Sequence, residues 1–168
     1  MGTLSLLVVF PFLMAYAASS DLLTMTIPNR VSLVLLITFI GFAAASGFDG
    51  ADLARHAGAG ALVLIVTFTL FALGYVGGGD AKLASVTALW LGFDHLLDYL
   101  FLASIAGGAL TLILLMSRGY PLPRILSRLP FALHLHDRKT GVPYGIALAA
   151  AALVVMPDTL IWCRAMSG

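Results

Sequence analysis

The chain has 168 residues, of which 61% are hydrophobic, 17 are glycine and only 10% are charged, where soluble globular chains carry about 25% charged residues. So little polar surface cannot cover a ball in water, which excludes a soluble domain, a disordered segment and a nucleic-acid binder and puts the chain in a membrane. Nine Lys and Arg oppose eight acids for a net charge of +1, and every acid is an aspartate.

Charge-free apolar runs follow one another at residues 3–20, 31–47, 57–76, about 81–93, about 99–117 and about 142–162. A helical span takes about 20 residues, so the pattern predicts an all-α polytopic membrane protein of about six transmembrane helices, one domain over residues 1–168. The first run carries Ala15-Tyr16-Ala17, a cleavage-like triplet, but no basic residue precedes it, so it is read as a retained span. The second starts after Ile27-Pro28-Asn29, where proline removes a backbone donor and disfavours helix just before it. The third contains Ala57-Gly58-Ala59-Gly60, a pattern of close helix contact. The fourth reaches only about 20 Å against a hydrocarbon core of roughly 30 Å. It either continues through His95 to Leu97 or stays short with its end covered by protein. The fifth holds Gly107-Gly108, again a contact pattern. Residues 118–141 form the one long polar stretch; Pro121, Pro123 and Pro130 make it irregular or divide it into short amphipathic pieces, and its bases suit an anionic lipid surface. Cys163 is the only cysteine, so no internal disulfide and no multi-thiolate zinc site exist.

Alternating loops put Arg30, Lys82, Arg118, Arg124, Arg128, Arg138 and Lys139 on one side and Arg55 and Arg164 on the other. The richer side is expected to be cytoplasmic, with both termini outside. This topology sorts the acids. Asp49, Asp52, Asp94, Asp98 and Asp158 fall outside; Asp21, Asp80 and Asp137 fall inside. Asp137 beside Arg138 and Lys139 is an ordinary loop acid. Asp94 and Asp98, spaced i, i+4 around His95, are read as caps of the fifth span in preference to a metal site. His134-Leu135-His136-Asp137 has ligand-type residues but no matching cluster elsewhere, so no metal is expected. Asp21 closes the first run and Asp80 opens the fourth, at one membrane edge. Two carboxylates meeting there share one proton, because like charges at close range cannot both ionise. One can then activate a water while the other donates to a carbonyl oxygen, the chemistry of aspartic peptide hydrolysis.

Asp80 follows Gly77, Gly78 and Gly79, a bare backbone free to take positive φ and open to an extended peptide; the plainer reading is a turn with Asp80 as helix N-cap. Lys82 is read as snorkelling to the interface. Val142-Pro143-Tyr144-Gly145 opens the last span, where Pro suits a helix start and a Pro/Gly break also suits a substrate groove.

The segment from Asp21 to Ile27-Pro28-Asn29 resembles the first signature of the type IV prepilin peptidases. Gly77-Gly78-Gly79-Asp80-Ala81-Lys82-Leu83 is similar to the second, a Gly-x-Gly-Asp followed by x-Lys-Leu. Trp90-Leu91-Gly92 matches the family style, and Pro143-Tyr144-Gly145 resembles its Pro-Phe-Gly segment with Tyr for Phe. The resemblance implies a GxGD-type intramembrane aspartyl protease fold with Asp21 and Asp80 as the catalytic pair. Ile27, Pro28, Asn29, Gly77, Gly78, Gly79, Lys82, Pro143, Tyr144 and Gly145 would then bind substrate or shape the site. It implies no cofactor. The substrates would be prepilins or pseudopilins, whose short basic leader is cut at the cytoplasmic face of a bacterial inner membrane. The absence of a paired-cysteine insert resembles the small branch serving Flp-type (tight adherence) pili, without methyltransferase activity. The presenilin group shares Gly-x-Gly-Asp, but its C-terminal Pro-Ala-Leu is missing here. Rival readings are a small transporter component, which predicts carboxylates inside spans, and a non-catalytic assembly factor, which predicts loss of one aspartate. Oligomeric state is left open by the sequence.

Overall fold

The computed structural model describes residues 2–123, 128–137 and 140–167. Arg124, Arg138 and Lys139, three of the bases counted toward the topology, lie outside the described residues. The described chain is helical, with no strand: α1 (Gly2–Thr24), α2 (Asn29–Ala45), α3 (Gly50–Ala72), α4 (Gly78–Leu91), α5 (Leu96–Ser117), α6 (Pro130–His136), α7 (Tyr144–Val155), a 3₁₀ turn (Met156–Asp158) and α8 (Leu160–Ser167).

Three stretches are long and apolar enough to cross a membrane: Leu7–Thr24 of α1, Gly50–Ala72 and Leu96–Ser117. A fourth is added if α7 with its 3₁₀ turn and α8, bent by 56° at Thr159, make one broken span. α2 is apolar but has 17 residues, and α4 has 14. The structure therefore supports three to four spans, fewer than the six apolar runs suggested. The reason is length: apolar runs were counted whether or not each helix reaches across.

α4 is the centre of the bundle. It has buried residues on every side, among them Leu83, Thr87, Ala88 and Trp90, and it meets α2, α3, α5 and α7. A helix apolar all round is a buried helix. Trp90 donates its indole N–H to the Leu35 carbonyl of α2 at 2.9 Å and lies among Phe10, Phe39 and Phe42. Large apolar side chains on the outer faces, such as Phe12, Ile65, Phe101 and Met116, are exposed, as helices facing lipid require.

The glycine-rich stretches are partly contact points. Gly60 lies against Leu89 and Ser85 of α4, Gly58 against Phe93 and Gly107 against the Tyr144 ring, while Gly108 has open space beside it. The end of the bundle away from Asp80 is pinned by Arg164 of α8, which donates to Asp52 at 2.7 Å and stacks over Phe48. His56, buried in α3, bonds the Leu89 carbonyl through Nδ1 at 2.8 Å.

Three expectations are corrected. Asp94 precedes α5, whose N-cap residue is His95 with no side-chain cap bond, so Asp94 and Asp98 neither share a helix nor cap one. His95 instead lies 3.6 Å from Asp98. Asp80 is not an N-cap: Gly77 holds that position and Asp80 falls in the first turn of α4. None of Gly77, Gly78 and Gly79 has positive φ; among the described residues the positive-φ glycines are Gly47, Gly74 and Gly92.

Candidate active site

α1 continues through Asp21 to Thr24, one turn past the end of the first apolar run, so Asp21 stands in a helix's last turn and is buried. The chain leaves α1 through Met25 at φ 54° and runs extended over Ile27-Pro28 before α2. This bend lays Ile27 into the bundle, where it is buried. Ile27 is the common neighbour of two remote segments. A Cβ placed on Gly79 would lie 3.1 Å from Ile27 Cβ, and one placed on Gly145 would lie 2.8 Å from Ile27 Cδ1. Side chains at either position would push Ile27 out, which gives both glycines a packing reason.

Gly145, in the first turn of α7, donates its backbone N–H to Asp21 Oδ2 at 2.7 Å. This amide is one of the donors a helix N-terminus leaves unpaired within the helix, and it holds the carboxylate in one orientation. The room comes from the missing side chain: a Cβ on Gly145 would sit 2.8 Å from Asp21 Oδ2. Asp80 is seated the same way against Gly77, whose Cβ would lie 2.9 Å from Asp80 Oδ2. Asp80 Oδ1 is buried with no hydrogen-bond partner among the described residues. Asp80 stands at the end of α4, outside the three long spans. Its carboxyl is pushed up to about 7, first by burial and then by the negative charge of Asp21.

The layering of α1 and α4 agrees with this meeting. Met14 Sδ of α1 lies 4.0 Å from Thr87 Oγ1 of α4. Asp21 is seven residues, two turns, after Met14, and Asp80 is seven before Thr87. The helices are antiparallel, so both aspartates stand two turns from this contact in the same direction.

Lys82 Nζ donates to Asn29 Oδ1 at 2.9 Å. It therefore ties the segment after Asp80 to the segment after Asp21, a role the snorkelling reading did not include. Pro143 precedes α7 as its N-cap residue, and Tyr144 lays its ring on Gly107 of α5. The structure thus brings Asp21, Ile27, Asn29, Gly79, Asp80, Lys82 and Gly145 to one end of the bundle. Gly78 faces the Phe71 ring and Gly79 faces Ile27, so this backbone is less bare than its composition suggests.

Sequence reasoning missed Arg118. It was counted only as a loop base, yet it is buried and donates from Nε to the Leu135 carbonyl at 2.8 Å and from Nη2 to the Gly141 carbonyl at 2.9 Å. It thereby anchors both ends of the segment leading into Pro143-Tyr144-Gly145. A basic residue closing an apolar run is the only trace of this in the sequence. Among the described residues no group of three or more His, Cys, Asp or Glu converges as a metal site.

These features define a membrane-embedded helical bundle with two carboxylates gathered at one end by three separate segments. The family model described as the type IV leader peptidase family matches residues 8–112, and the chain belongs to this family. The match includes Asp21 and Asp80 but ends before Gly145. Searches among curated proteins and among solved structures found no match.

Proposed function

We propose that this leader peptidase is an aspartic endopeptidase of the GxGD type, with Asp21 and Asp80 as its catalytic pair. The observation that carries the proposal is the shared seat of the two carboxylates: Asp21 is bonded to Gly145, Ile27 packs between Gly145 and Gly79, and Asp80 follows directly. Two carboxylates in such a site hold one proton between them. The Gly145 amide serves the ionised Asp21, which leaves the proton to Asp80.

Asp21 then takes a proton from water as the water oxygen attacks the scissile carbonyl carbon, and Asp80 gives its proton to the carbonyl oxygen. The gem-diol collapses with the carbon–nitrogen bond breaking. Asp21 returns its proton to the leaving amine, and Asp80 recovers one from a hydroxyl. Both carboxyls end as they began, and no covalent intermediate forms. Residues 77–79 and 143–145 line the approach of the extended peptide.

The substrates in this reading are prepilins or pseudopilins of an Flp-type pilus or a related secretion apparatus, cut at the cytoplasmic face of a bacterial inner membrane. Arg30, Lys82 and Arg118 at the aspartate end support that orientation through the distribution of basic residues. The same reading treats residues 1–168 as one domain, with α2 and α4 as short spans shielded by their neighbours, making six. The test is cleavage of a leader-bearing substrate in membranes by Asp21→Asn and Asp80→Asn. Each variant is expected to accumulate at normal level and leave the leader attached; full processing by both would refute the catalytic assignment.

A further inference from the structure

α2 and α3 both pack on α4, and between them lies a crevice of about 720 Å³. Phe39 and His56 bring α2 and α3 together at one end, with ring centroids 5.7 Å apart. Below that contact the walls are Leu33 and Leu36 of α2 and Ala61 and Leu64 of α3, and α4 forms the floor. The mouth is formed by Asn29, Arg30 and Lys82, and no acidic residue lines the crevice. Lys82 is two positions after Asp80, about 200° around α4, so the crevice opens on the face of α4 turned away from the aspartates.

Size alone does not choose an occupant. From Lys82 to Leu89 the floor runs seven residues, about 10 Å, and that length of helix or of paired acyl chains would fill it equally. Charge does choose. Lys82 spends one donor on Asn29 and keeps two, and Arg30 adds a guanidinium suited to a phosphate. Two cations without an opposing acid attract an anion and repel the basic leader that a substrate helix would bring with it. Basic mouths between membrane helices bind anionic headgroups. We propose that the crevice holds an anionic phospholipid, with its phosphate at Arg30 and Lys82 and its acyl chains along α4 between α2 and α3.

The test reads lipid and not cleavage, so it stands apart from the assignment of the catalytic pair. The full chain is reconstituted in nanodiscs of mixed phosphatidylglycerol and phosphatidylcholine, extracted in mild detergent, and its retained lipid measured by native mass spectrometry. Wild type is expected to retain phosphatidylglycerol over phosphatidylcholine at least tenfold. Arg30→Gln, a change at an exposed side chain, is expected to lower that preference several-fold, and Ala61→Trp, which fills the crevice, to remove lipid of both kinds. Equal retention of the two lipids by wild type, or a preference unmoved by either variant, would overturn the proposal. So would a photocrosslinker at Leu33 that captures an added leader-bearing peptide in preference to lipid.

Discussion

Asp80→Asn separates the chemical role of this carboxyl from its effect on stability. Unfolded, the side chain ionises near 3.8; folded, it holds its proton to about 7. The folded state therefore binds more protons than the unfolded state between these values. Stability from this group is fully present below 3.8 and declines as pH rises through the interval to about 7. Three units at about 1.36 kcal/mol each set a ceiling of about 4 kcal/mol. Screening at a membrane edge reduces the expected effect to about 2 kcal/mol. Asparagine has nearly the same shape and never ionises. At pH 5, a little over a third of the way through this interval, the variant is expected to melt slightly above wild type, and at pH 8 several degrees above it, while cleavage is lost at both. Thermal unfolding of detergent-solubilised protein across pH 4.5–8.5, beside a cleavage assay, measures both. If the variant gained no stability at pH 8 over pH 5, Asp80 would not be a buried acid protonated near neutrality, and its assignment as proton donor would fail with it.

In the proposed mechanism the same carboxyl sets the alkaline limit of activity in wild type. Asp80 must carry its proton to donate it, so turnover is expected to fall as pH rises past about 7, visible as the alkaline limb of a kcat/KM profile. Gly145→Ala puts a methyl group 2.8 Å from Asp21 Oδ2; a loss of at least 100-fold in kcat with protein level maintained is expected, read by single-turnover cleavage. Arg118→Ala removes both carbonyl bonds, each worth about 1.5–3 kcal/mol when the donor is charged. Limited proteolysis should then cut residues 118–141 sooner and kcat should drop, while Arg118→Lys recovers only part of each. Trp90→Phe removes the indole donor to the Leu35 carbonyl, which keeps the Thr38 hydroxyl at 3.1 Å, a loss of about 0.5–1.5 kcal/mol, read as a lower melting midpoint with the pH profile unchanged.

Much of the site was legible because its chemistry is concentrated in residues that are costly where they stand. Aspartates at the edges of apolar runs need a reason, and Asp21 and Asp80 were found that way. The proline break at Pro28 and the glycines before Asp80 marked where the chain turns. What the sequence hid was the set of neighbours. Asp80 looked like a cap because a polar residue after glycines usually is one, and only the register of α4 moved that role to Gly77. The three glycines suggested freedom of φ, whereas Gly78 and Gly79 answer to Phe71 and Ile27, side chains from other segments. Apolar runs count helices more readily than spans for a related reason. Apolar runs report burial, and most of α4 is buried by protein as thoroughly as a longer helix would be by lipid.

Gly145 shows why two carboxylates alone would not be enough. A buried Asp21 without a donor would be free to rotate and would leave its oxygens unsatisfied. The amide of Gly145 fixes it at 2.7 Å, but only if α7 begins at Tyr144 and no side chain stands at position 145. Pro143 sets that start by having no amide hydrogen to place, and Tyr144 locks the helix against Gly107, where a Cβ would overlap the ring. Arg118, at the far end of the same α5, holds Gly141 just upstream. The third segment is thus clamped to α5 at two levels before it reaches Asp21. Gly107→Ala tests this chain of contacts away from the carboxylates: it should displace Tyr144, lengthen the Gly145–Asp21 bond and lower kcat more than it raises KM. An unchanged kcat in a folded Gly107→Ala protein would mean that Asp21 is oriented by something other than α7.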